Sequence, residues 1–101
     1  MWDGYKTPRW RRLREQILRR DGYRSLEARR YGRSVEADTV HHCWRAEEFP
    51  EFAWEPWNLI SITGDEHKLM HNADGSLTEL GESWRRRRAP PGRGQAKTRP
   101  L

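Results

Sequence analysis

Residues 35–71 read VEADTVHHCWRAEEFPEFAWEPWNLISITGDEHKLMH and contain all four histidines of the chain. Residues 35–42 alternate two sets of side chains in the way that a half-buried β-strand does. Residues 59–62, after a loop that contains prolines and tryptophans, predict a second short strand. Residues 63–66, TGDE, have the Ser/Thr-x-x-Glu form of a capping box, which marks the start of a helix. The stretch therefore predicts a strand, a loop, a strand and a helix that carries His67 and His71.

The spacing of the four histidines is compatible with a metal site. His67 and His71 are four residues apart on the predicted helix, so both imidazoles project from one face, as in helices that present two nitrogens to one ion. His41 and His42 are neighbours at the end of a strand and point to opposite faces, so one can complete a metal site while the other acts separately. A single i,i+4 histidine pair is equally compatible with two surface side chains, but four histidines in one short unit favour a site.

Upstream of this stretch, the sequence predicts a basic amphipathic helix. Thr7-Pro8 is a helix start, with a capping hydroxyl followed by a proline in the first turn, and Asp21-Gly22 marks the end. The apolar residues recur at helical spacing on one face, and the other face carries Arg9, Arg11, Arg12, Arg14 and Arg19. Residues 23–34 are polar and are predicted to be irregular.

Downstream, residues 76–79 repeat the capping signature before Leu80 and Trp84, which predicts a last helix. From Arg85 the chain consists of four arginines followed by prolines, glycines and further basic residues, with no apolar periodicity. We therefore predict one domain over residues 1–84 and a disordered basic tail over residues 85–101. The element order places the domain in the α+β class.

Charge is distributed in three blocks. Residues 1–35 carry 11 basic and 4 acidic side chains, residues 36–83 carry 2 and 11, and residues 84–101 carry 7 and none. Two basic flanks around an acidic middle suggest a polyanionic partner such as nucleic acid. Solvation of the surface is the simpler alternative, so charge alone does not establish nucleic-acid binding.

Composition excludes several classes of protein. The chain has a single cysteine, Cys43, which forbids an internal disulfide and any cysteine-based zinc finger. The longest uncharged run spans only residues 56–64, far short of the ~20 apolar residues that a membrane helix needs. No charged-then-apolar signal segment opens the chain. We expect a soluble cytoplasmic protein whose tryptophans compensate for a low aliphatic content.

The histidine stretch resembles the motif of the HNH nucleases. His41-His42, fifteen residues, Asn58, eight residues, His67, three residues and His71 match the HH…N…H…H spacing of that family. The predicted order of elements also resembles its ββα-metal, treble-clef-like core, flanked here by the N-terminal basic helix and other helices. The resemblance covers roughly residues 8–72 and is greatest to the small phage-type members.

The resemblance implies a metal-dependent DNA endonuclease that hydrolyses phosphodiester bonds. It implies that His41, His67 and His71 bind one divalent ion, that His42 is the general base, and that Asn58 holds the loop and orients His42 through a hydrogen bond. Histidine is suited to that role because its ordinary pKa, ~6.5, lies near neutrality. Imidazole ligands suit manganese, nickel, cobalt or zinc, and magnesium could serve if water and phosphate complete its shell.

One departure from the family concerns its structural zinc. Many relatives carry two Cys-x-x-Cys pairs where this chain has Ser25 and Ala28, then Thr63 and Glu66, so we expect no structural zinc. Packing of the long loop is expected to fall to Trp44, Trp54 and Trp57, for which stacking on nucleic-acid bases is the alternative. Cys43 is expected to pack as a small apolar residue.

The implied partner is DNA. Phosphate contacts are predicted for arginines of the first helix and of the tail, namely Arg11, Arg12, Arg14, Arg19, Arg85, Arg86, Arg87 and Arg88. The resemblance to phage-type members implies a phage-encoded protein in a bacterial host cell, with the packaging terminase as a protein partner. Two alternatives remain open: a catalytically silent HNH-like module that binds DNA, and a basic adaptor for another protein. The sequence does not decide the oligomeric state.

Overall fold

The structure is a computed structural model that describes residues 2–90. Within that range the fold is α+β, with four α-helices and one two-stranded antiparallel sheet. The helices are α1 (Pro8–Arg20), α2 (Leu26–Arg29), α3 (Gly64–Met70) and α4 (Glu79–Arg87), and the strands are β1 (Thr39–His42) and β2 (Leu59–Ile62). Short 3₁₀ helices occupy Asp3–Lys6, Pro50–Phe52 and Pro56–Asn58. No described helix is long and apolar enough to cross a lipid bilayer.

Helix α1 begins and ends where the sequence predicts. The Thr7 hydroxyl accepts a hydrogen bond from the Trp10 amide at 3.1 Å, and Pro8 occupies the first turn, where its missing N–H costs nothing. The helix buries Trp10, Ile17 and Leu18. The basic residues between them face solvent or the loops, so the predicted amphipathic character is confirmed.

The sheet is shorter than predicted and one helix was not foreseen. Strand β1 starts at Thr39 and not at residue 35, because β2, its partner, has four residues and pairs Thr39 with Ile62 and His42 with Leu59. Residues 35–38 lie outside the strand: Glu36 forms an isolated bridge with Arg24, and the Asp38 amide donates to the Ile62 carbonyl at 3.3 Å. The stretch 23–34, predicted to be irregular, contains α2, whose first turn is capped by the Ser25 hydroxyl.

The capping box before α3 is present in full. The Thr63 hydroxyl accepts from the Glu66 amide at 3.0 Å, and the Glu66 carboxylate accepts from the Thr63 amide at 2.8 Å. The helix ends at Met70, so His71 lies just beyond it in extended conformation. The next helix is capped by Thr78, where the repeated signature had suggested a start at residue 76.

Helix α4 extends through Arg87, three residues into the predicted tail. Arginine is a good helix former, and the carbonyl of Arg88 accepts a hydrogen bond from the Trp44 indole, which anchors the end of the helix to the long loop. The rest of the predicted tail, residues 91–101, lies outside the described residues.

Apolar side chains pack in two clusters. One joins α1 to the sheet through Trp10, Ile17, Leu18, Ala37, Val40 and Leu59, and the other joins the sheet to α3 and α4 through Cys43, Ile60, Ile62, Met70 and Trp84. Cys43 is fully buried, as expected of a small apolar residue, and burial raises the pKa of its thiol to about 12. The sheet is thus held between α1 and the α3–α4 pair.

The long loop between the strands, residues 43–58, is packed by aromatic rings. Trp44 lies edge-on to Phe49 and Phe52, and Trp57 contacts Phe52. These contacts confirm the predicted packing role of Trp44 and Trp57. Trp54 lies outside this cluster and packs against Trp2 and, at a greater distance, Trp10.

Candidate metal centre and histidine cleft

Strand β1 and helix α3 bring three of the four histidines together. His41 lies on β1 opposite Ile60, His67 is on the last turns of α3, and His71 follows the helix at the point where the chain turns into an isolated bridge with Leu77. The ring centres are 5.3 Å apart for His41 and His67, 5.4 Å for His41 and His71, and 5.0 Å for His67 and His71. The three imidazoles therefore form a nearly equilateral cluster.

The cluster has the donor set and spacing of a metal site. One ring nitrogen from each of His41, His67 and His71 lies within 4.8 Å of the other two. Metal–imidazole bonds of about 2.0–2.1 Å hold two ligand atoms at most about 4 Å apart, so small rotations of the rings would close the remaining gap. The predicted ligand set is thus assembled in one place.

His41 provides the observation that a metal ion would explain. Its side chain is 1% exposed, and within residues 2–90 neither ring nitrogen has a hydrogen-bond partner. An unpaired buried polar group costs about 1–3 kcal/mol, so native structures rarely leave one without a partner. Coordination of an ion would satisfy one of the two nitrogens, and the residues present therefore fit a metal.

Burial and neighbouring histidines keep the rings of His41 and His67 in the neutral form that binds metals. Burial, followed by the neighbouring His67 and His71, holds the pKa of His41 well below its ordinary value of 6.5. Burial and the nearby His71 likewise lower the pKa of His67. Both rings are accordingly neutral at pH 7, with a lone pair available to a cation.

His42 faces the opposite side of the strand and is held by different contacts. Its ring stacks on Trp10 with centres 5.1 Å apart and planes 18° from parallel. Its Nε2 lies 3.0 Å from the carbonyl oxygen of Ala53, and its Nδ1 lies 3.1 Å from the hydroxyl of Tyr5. Because a carbonyl only accepts, Nε2 carries the proton and Nδ1 of the neutral ring accepts from the tyrosine.

Burial is also the main influence on the acidity of this pair. It lowers the pKa of His42, although the Ala53 carbonyl and Glu47 act in the opposite direction. It raises the pKa of Tyr5 to about 12, with Glu47 contributing in the same sense. The tyrosine therefore stays protonated at neutral pH and remains able to donate to Nδ1.

Asn58 holds the long loop, as predicted, but does not hydrogen-bond to His42 in the described part of the chain. Its fully buried side chain accepts from the Trp44 amide at 2.7 Å and donates to the carbonyls of Trp44 and Phe52 at 3.0 and 3.1 Å. The carbonyl that orients His42 belongs to Ala53, the residue after Phe52. Asn58 thus acts on His42 through the backbone of the loop.

All four histidines line one cleft. It is lined by Tyr5, His41, His42, Arg45, Ala46, Glu47, His67, His71 and Gly75. Three of the lining residues with polar or charged side chains, Tyr5, Arg45 and Glu47, were not singled out from the sequence. Arg45 and Glu47 follow the histidine pair by a few residues, so proximity in sequence was a usable signal for them. Nothing local marks Tyr5, which is 37 residues from His42.

The arginines predicted to contact phosphate on α1 differ in their surroundings. Arg11 and Arg12 are exposed. Arg14 donates to the backbone carbonyl of Asp38, and Arg19 lies 3.9 Å from Glu15, one turn away on the same helix. Arg11 and Arg12 are thus the freest of the four to meet a ligand.

The arginines at the end of α4 are largely engaged with the protein. The Arg85 guanidinium lies 4.5 Å from the centre of the Trp44 ring, and Arg86 pairs with Glu79 at 3.0 Å. Arg87 and Arg88 each lie 5.7 Å from the Trp84 ring. Phosphate binding by this group would compete with these contacts.

Ser25, Ala28, Thr63 and Glu66, the residues compared above with zinc-binding cysteines, lie together. The Ser25 hydroxyl donates to the Glu66 carboxylate at 2.6 Å and accepts from the Ala28 amide at 3.0 Å. The same Glu66 oxygen accepts from the Thr63 amide. A hydrogen-bond network therefore links the starts of α2 and α3 at this point.

Comparison with known proteins finds no family model, no curated protein and no solved structure that matches this chain.

Proposed function

We propose that this protein is a metal-dependent DNA endonuclease of the HNH type, built on a ββα-metal core. The observation that carries the proposal is the cluster of His41, His67 and His71 in one cleft with a fourth histidine of fixed orientation, His42. A cluster of three imidazoles suits manganese, nickel or zinc, and magnesium if water and phosphate complete its shell. When bound, such an ion would stabilise charge on the phosphoryl and leaving oxygens.

His42 would act as the general base through Nδ1. The Ala53 carbonyl holds the proton on Nε2, which leaves the Nδ1 lone pair for the proton of an attacking water. The Tyr5 hydroxyl now occupies that position, so a water molecule must displace it before the reaction; Tyr5 is 39% exposed. Attack on phosphorus then breaks the bond to the 3′ oxygen, which takes a proton from solvent. The products carry 3′-hydroxyl and 5′-phosphate ends.

Arg45 would bind the phosphate under attack. Its side chain lines the same cleft and is 26% exposed, and its one salt bridge within residues 2–90 is a long contact of 3.7 Å with Glu48. A guanidinium can donate two parallel hydrogen bonds to a phosphate. Glu47, which lines the same cleft, would repel phosphate and favour release of the product.

The DNA strand would approach over the basic face of α1, where Arg11 and Arg12 are exposed. By resemblance to phage-type HNH proteins, we also propose the packaging terminase as a partner, in the cytoplasm of a bacterial host. These two assignments rest on charge and on the resemblance of the motif.

A DNA-binding module without nuclease activity is the second candidate. One observation favours it: both ring nitrogens of His42 already have partners within the protein, Tyr5 and Ala53. If the Tyr5 hydroxyl were not displaced, His42 would have no lone pair available and the site would bind without cutting.

Cleavage of supercoiled plasmid decides between the two. The protein is incubated with plasmid in manganese, magnesium, nickel, zinc or chelator, beside His42→Ala and Arg45→Ala purified in the same way. A nuclease relaxes or linearises the plasmid only with metal; His42→Ala loses at least 100-fold in rate, since general-base catalysis contributes about 10²–10⁴-fold. Arg45→Lys, which keeps the charge, recovers part of the loss of Arg45→Ala. If the wild-type protein retards the plasmid but does not cut it in the presence of any of these metals, the nuclease is refuted and the binding module is supported.

A further inference from the structure

A second cleft lies beside the histidine cleft, on the N-terminal half of α1. It is lined by Arg9, Arg12, Leu13, Gln16 and Trp54. Arg9 and Arg12 are exposed, and neither forms a salt bridge with a carboxylate in residues 2–90. Two cations without counter-ions in one concave surface constitute a site for an anion.

The geometry of Arg9 favours phosphate over a nucleobase. Its guanidinium carbon lies 3.9 Å from the centre of the Trp54 ring, which is a cation–π stack. The stack covers that face of the indole, so a base cannot use it. The Arg9 side chain is exposed and forms no salt bridge within residues 2–90, so its guanidinium can donate two parallel hydrogen bonds to a phosphate. Arg12, three residues later, lies on the same face of the helix.

The two clefts are separated by one layer of aromatic rings. The ring of Trp2 lies 4.9 Å from that of Tyr5, which lines the histidine cleft, and 4.8 Å from that of Trp54. The Tyr5 and Trp54 rings are therefore at most about 10 Å apart. Phosphates of one DNA strand advance ~3.4 Å along the helix axis per nucleotide, so one strand can reach both clefts within about three nucleotides.

We infer that the Arg9–Arg12 cleft binds a backbone phosphate of the DNA strand within about three nucleotides of the phosphate at the histidine site. This inference rests on the proposed function for the identity of the strand, and it adds a second, fixed point of contact. Two points of contact on one strand determine the direction in which that strand crosses the histidine cleft. Such contacts position the DNA without reading its sequence.

The first test measures binding without cleavage. Fluorescence anisotropy of a labelled 20-base-pair duplex in chelator, over a series of NaCl concentrations, gives the slope of log K against log salt. Arg9→Gln/Arg12→Gln should lower the magnitude of that slope by about one, since the cleft holds one phosphate and each phosphate contact contributes ~0.9. The control, Arg24→Gln/Arg33→Gln, removes the same charge from exposed arginines outside the cleft and should change the slope by much less. Equal slopes for the two double variants would overturn the inference.

The second test locates the contact. Duplexes with a single neutral methylphosphonate at successive positions around a mapped cut are cleaved with manganese. For the wild type, replacement at one position within about three nucleotides of the cut should slow cleavage at that bond several-fold, whereas Arg9→Gln/Arg12→Gln should be insensitive to the same replacement. A profile without such a position, or one unchanged by the double variant, refutes the assignment. If the wild type never cuts, the proposed nuclease fails, while the salt slopes still decide whether this cleft binds DNA. If Arg9→Gln/Arg12→Gln lost binding to polyglutamate but kept its binding to DNA, the cleft would be assigned to an acidic protein and the inference would be overturned.

Discussion

Replacement of Asn58 by alanine should destabilise the protein more than any other change of a single polar side chain in the loop. Its amide makes three hydrogen bonds in a fully buried setting, to the amide and carbonyl of Trp44 and to the carbonyl of Phe52. These bonds fix the two halves of the loop between β1 and β2. The same loop presents the Ala53 carbonyl to His42, so the change reaches the candidate base as well.

The magnitude follows from those three bonds. Removal of one partner leaves a buried group unsatisfied at a cost of about 1–3 kcal/mol, and three backbone groups lose their partner here. Water entering the space left by the amide recovers part of the cost, so we expect a loss of about 4 kcal/mol in the free energy of unfolding. For a chain of this size that corresponds to a fall in Tm of about 15–30 °C. Native proteins have free energies of unfolding of about 5–15 kcal/mol, so the variant stays folded only if the wild-type protein does not lie at the low end of that range.

Thermal and urea unfolding monitored by tryptophan fluorescence measure this loss. Asn72→Ala is the matched control, because the Asn72 amide also donates to Ser76 and Leu77 but is exposed, and we expect it to cost less than about 1 kcal/mol. Asn58→Asp is the second variant: it keeps the acceptor for the Trp44 amide and loses both donors. Nitrogen-15 spectra of the histidines report in addition whether His42 keeps its proton on Nε2. An Asn58→Ala protein as stable as Asn72→Ala would refute the reasoning.

Three further predictions concern the metal, the pH dependence and the packing of α4. Zinc or nickel at 100 times its Kd should stabilise the folded protein by about 2.7 kcal/mol and raise Tm by roughly 10–20 °C; the rise should vanish in His67→Ala, and an equal rise there would contradict the site. Asp21→Asn should cost about 1–3 kcal/mol at pH 7, because hydrogen bonds from Arg20 and Ser61 outweigh burial and lower the pKa of the carboxyl. The loss of stability is complete above pH 3.8, the ordinary pKa of the carboxyl, and disappears as the pH falls through the lower pKa of the folded state. Urea titrations at pH 2 and pH 7 that give the same loss would show that it does not come from the charged carboxylate. Gly81→Ala should destabilise in thermal melts, since a Cβ there would overlap the Met70 carbonyl oxygen, whereas Gly64→Ala, whose Cβ has 3.8 Å of clearance, should not.

The parts of the fold that could be predicted are those determined by neighbouring residues. The start of α1 at Thr7-Pro8 and the capping box of α3 at Thr63–Glu66 involve partners three residues apart, so the sequence contains the whole interaction. Helix α2 was missed because its stability depends on distant contacts. Its cap, Ser25, donates to Glu66, which is 41 residues away. A four-residue helix has no apolar period to reveal it.

Strand length and the end of α4 were misjudged for the same reason. Alternation begins at residue 35, but β1 starts only at Thr39, because β2 ends at Ile62, which pairs with Thr39 and accepts one further hydrogen bond from the Asp38 amide. The arginines after Trp84 have no apolar spacing, yet the helix continues through Arg87 while the Trp44 indole donates to the Arg88 carbonyl. In both cases the boundary is determined by a residue on another element, which periodicity within one segment does not contain.

The two adjacent histidines of β1 show how far the motif alone could define the site. Alternation along a strand predicts that His41 and His42 face opposite sides, and their contacts agree: His41 lies with the rings of α3, and His42 stacks on Trp10 of α1. The motif does not predict that both nitrogens of His41 are without hydrogen-bond partners in the described chain while both nitrogens of His42 have one. That asymmetry is what separates the proposed roles. A buried ring with free lone pairs suits coordination of an ion, whereas a ring whose Nε2 proton is fixed by a carbonyl has one defined nitrogen for proton transfer, available once Tyr5 moves.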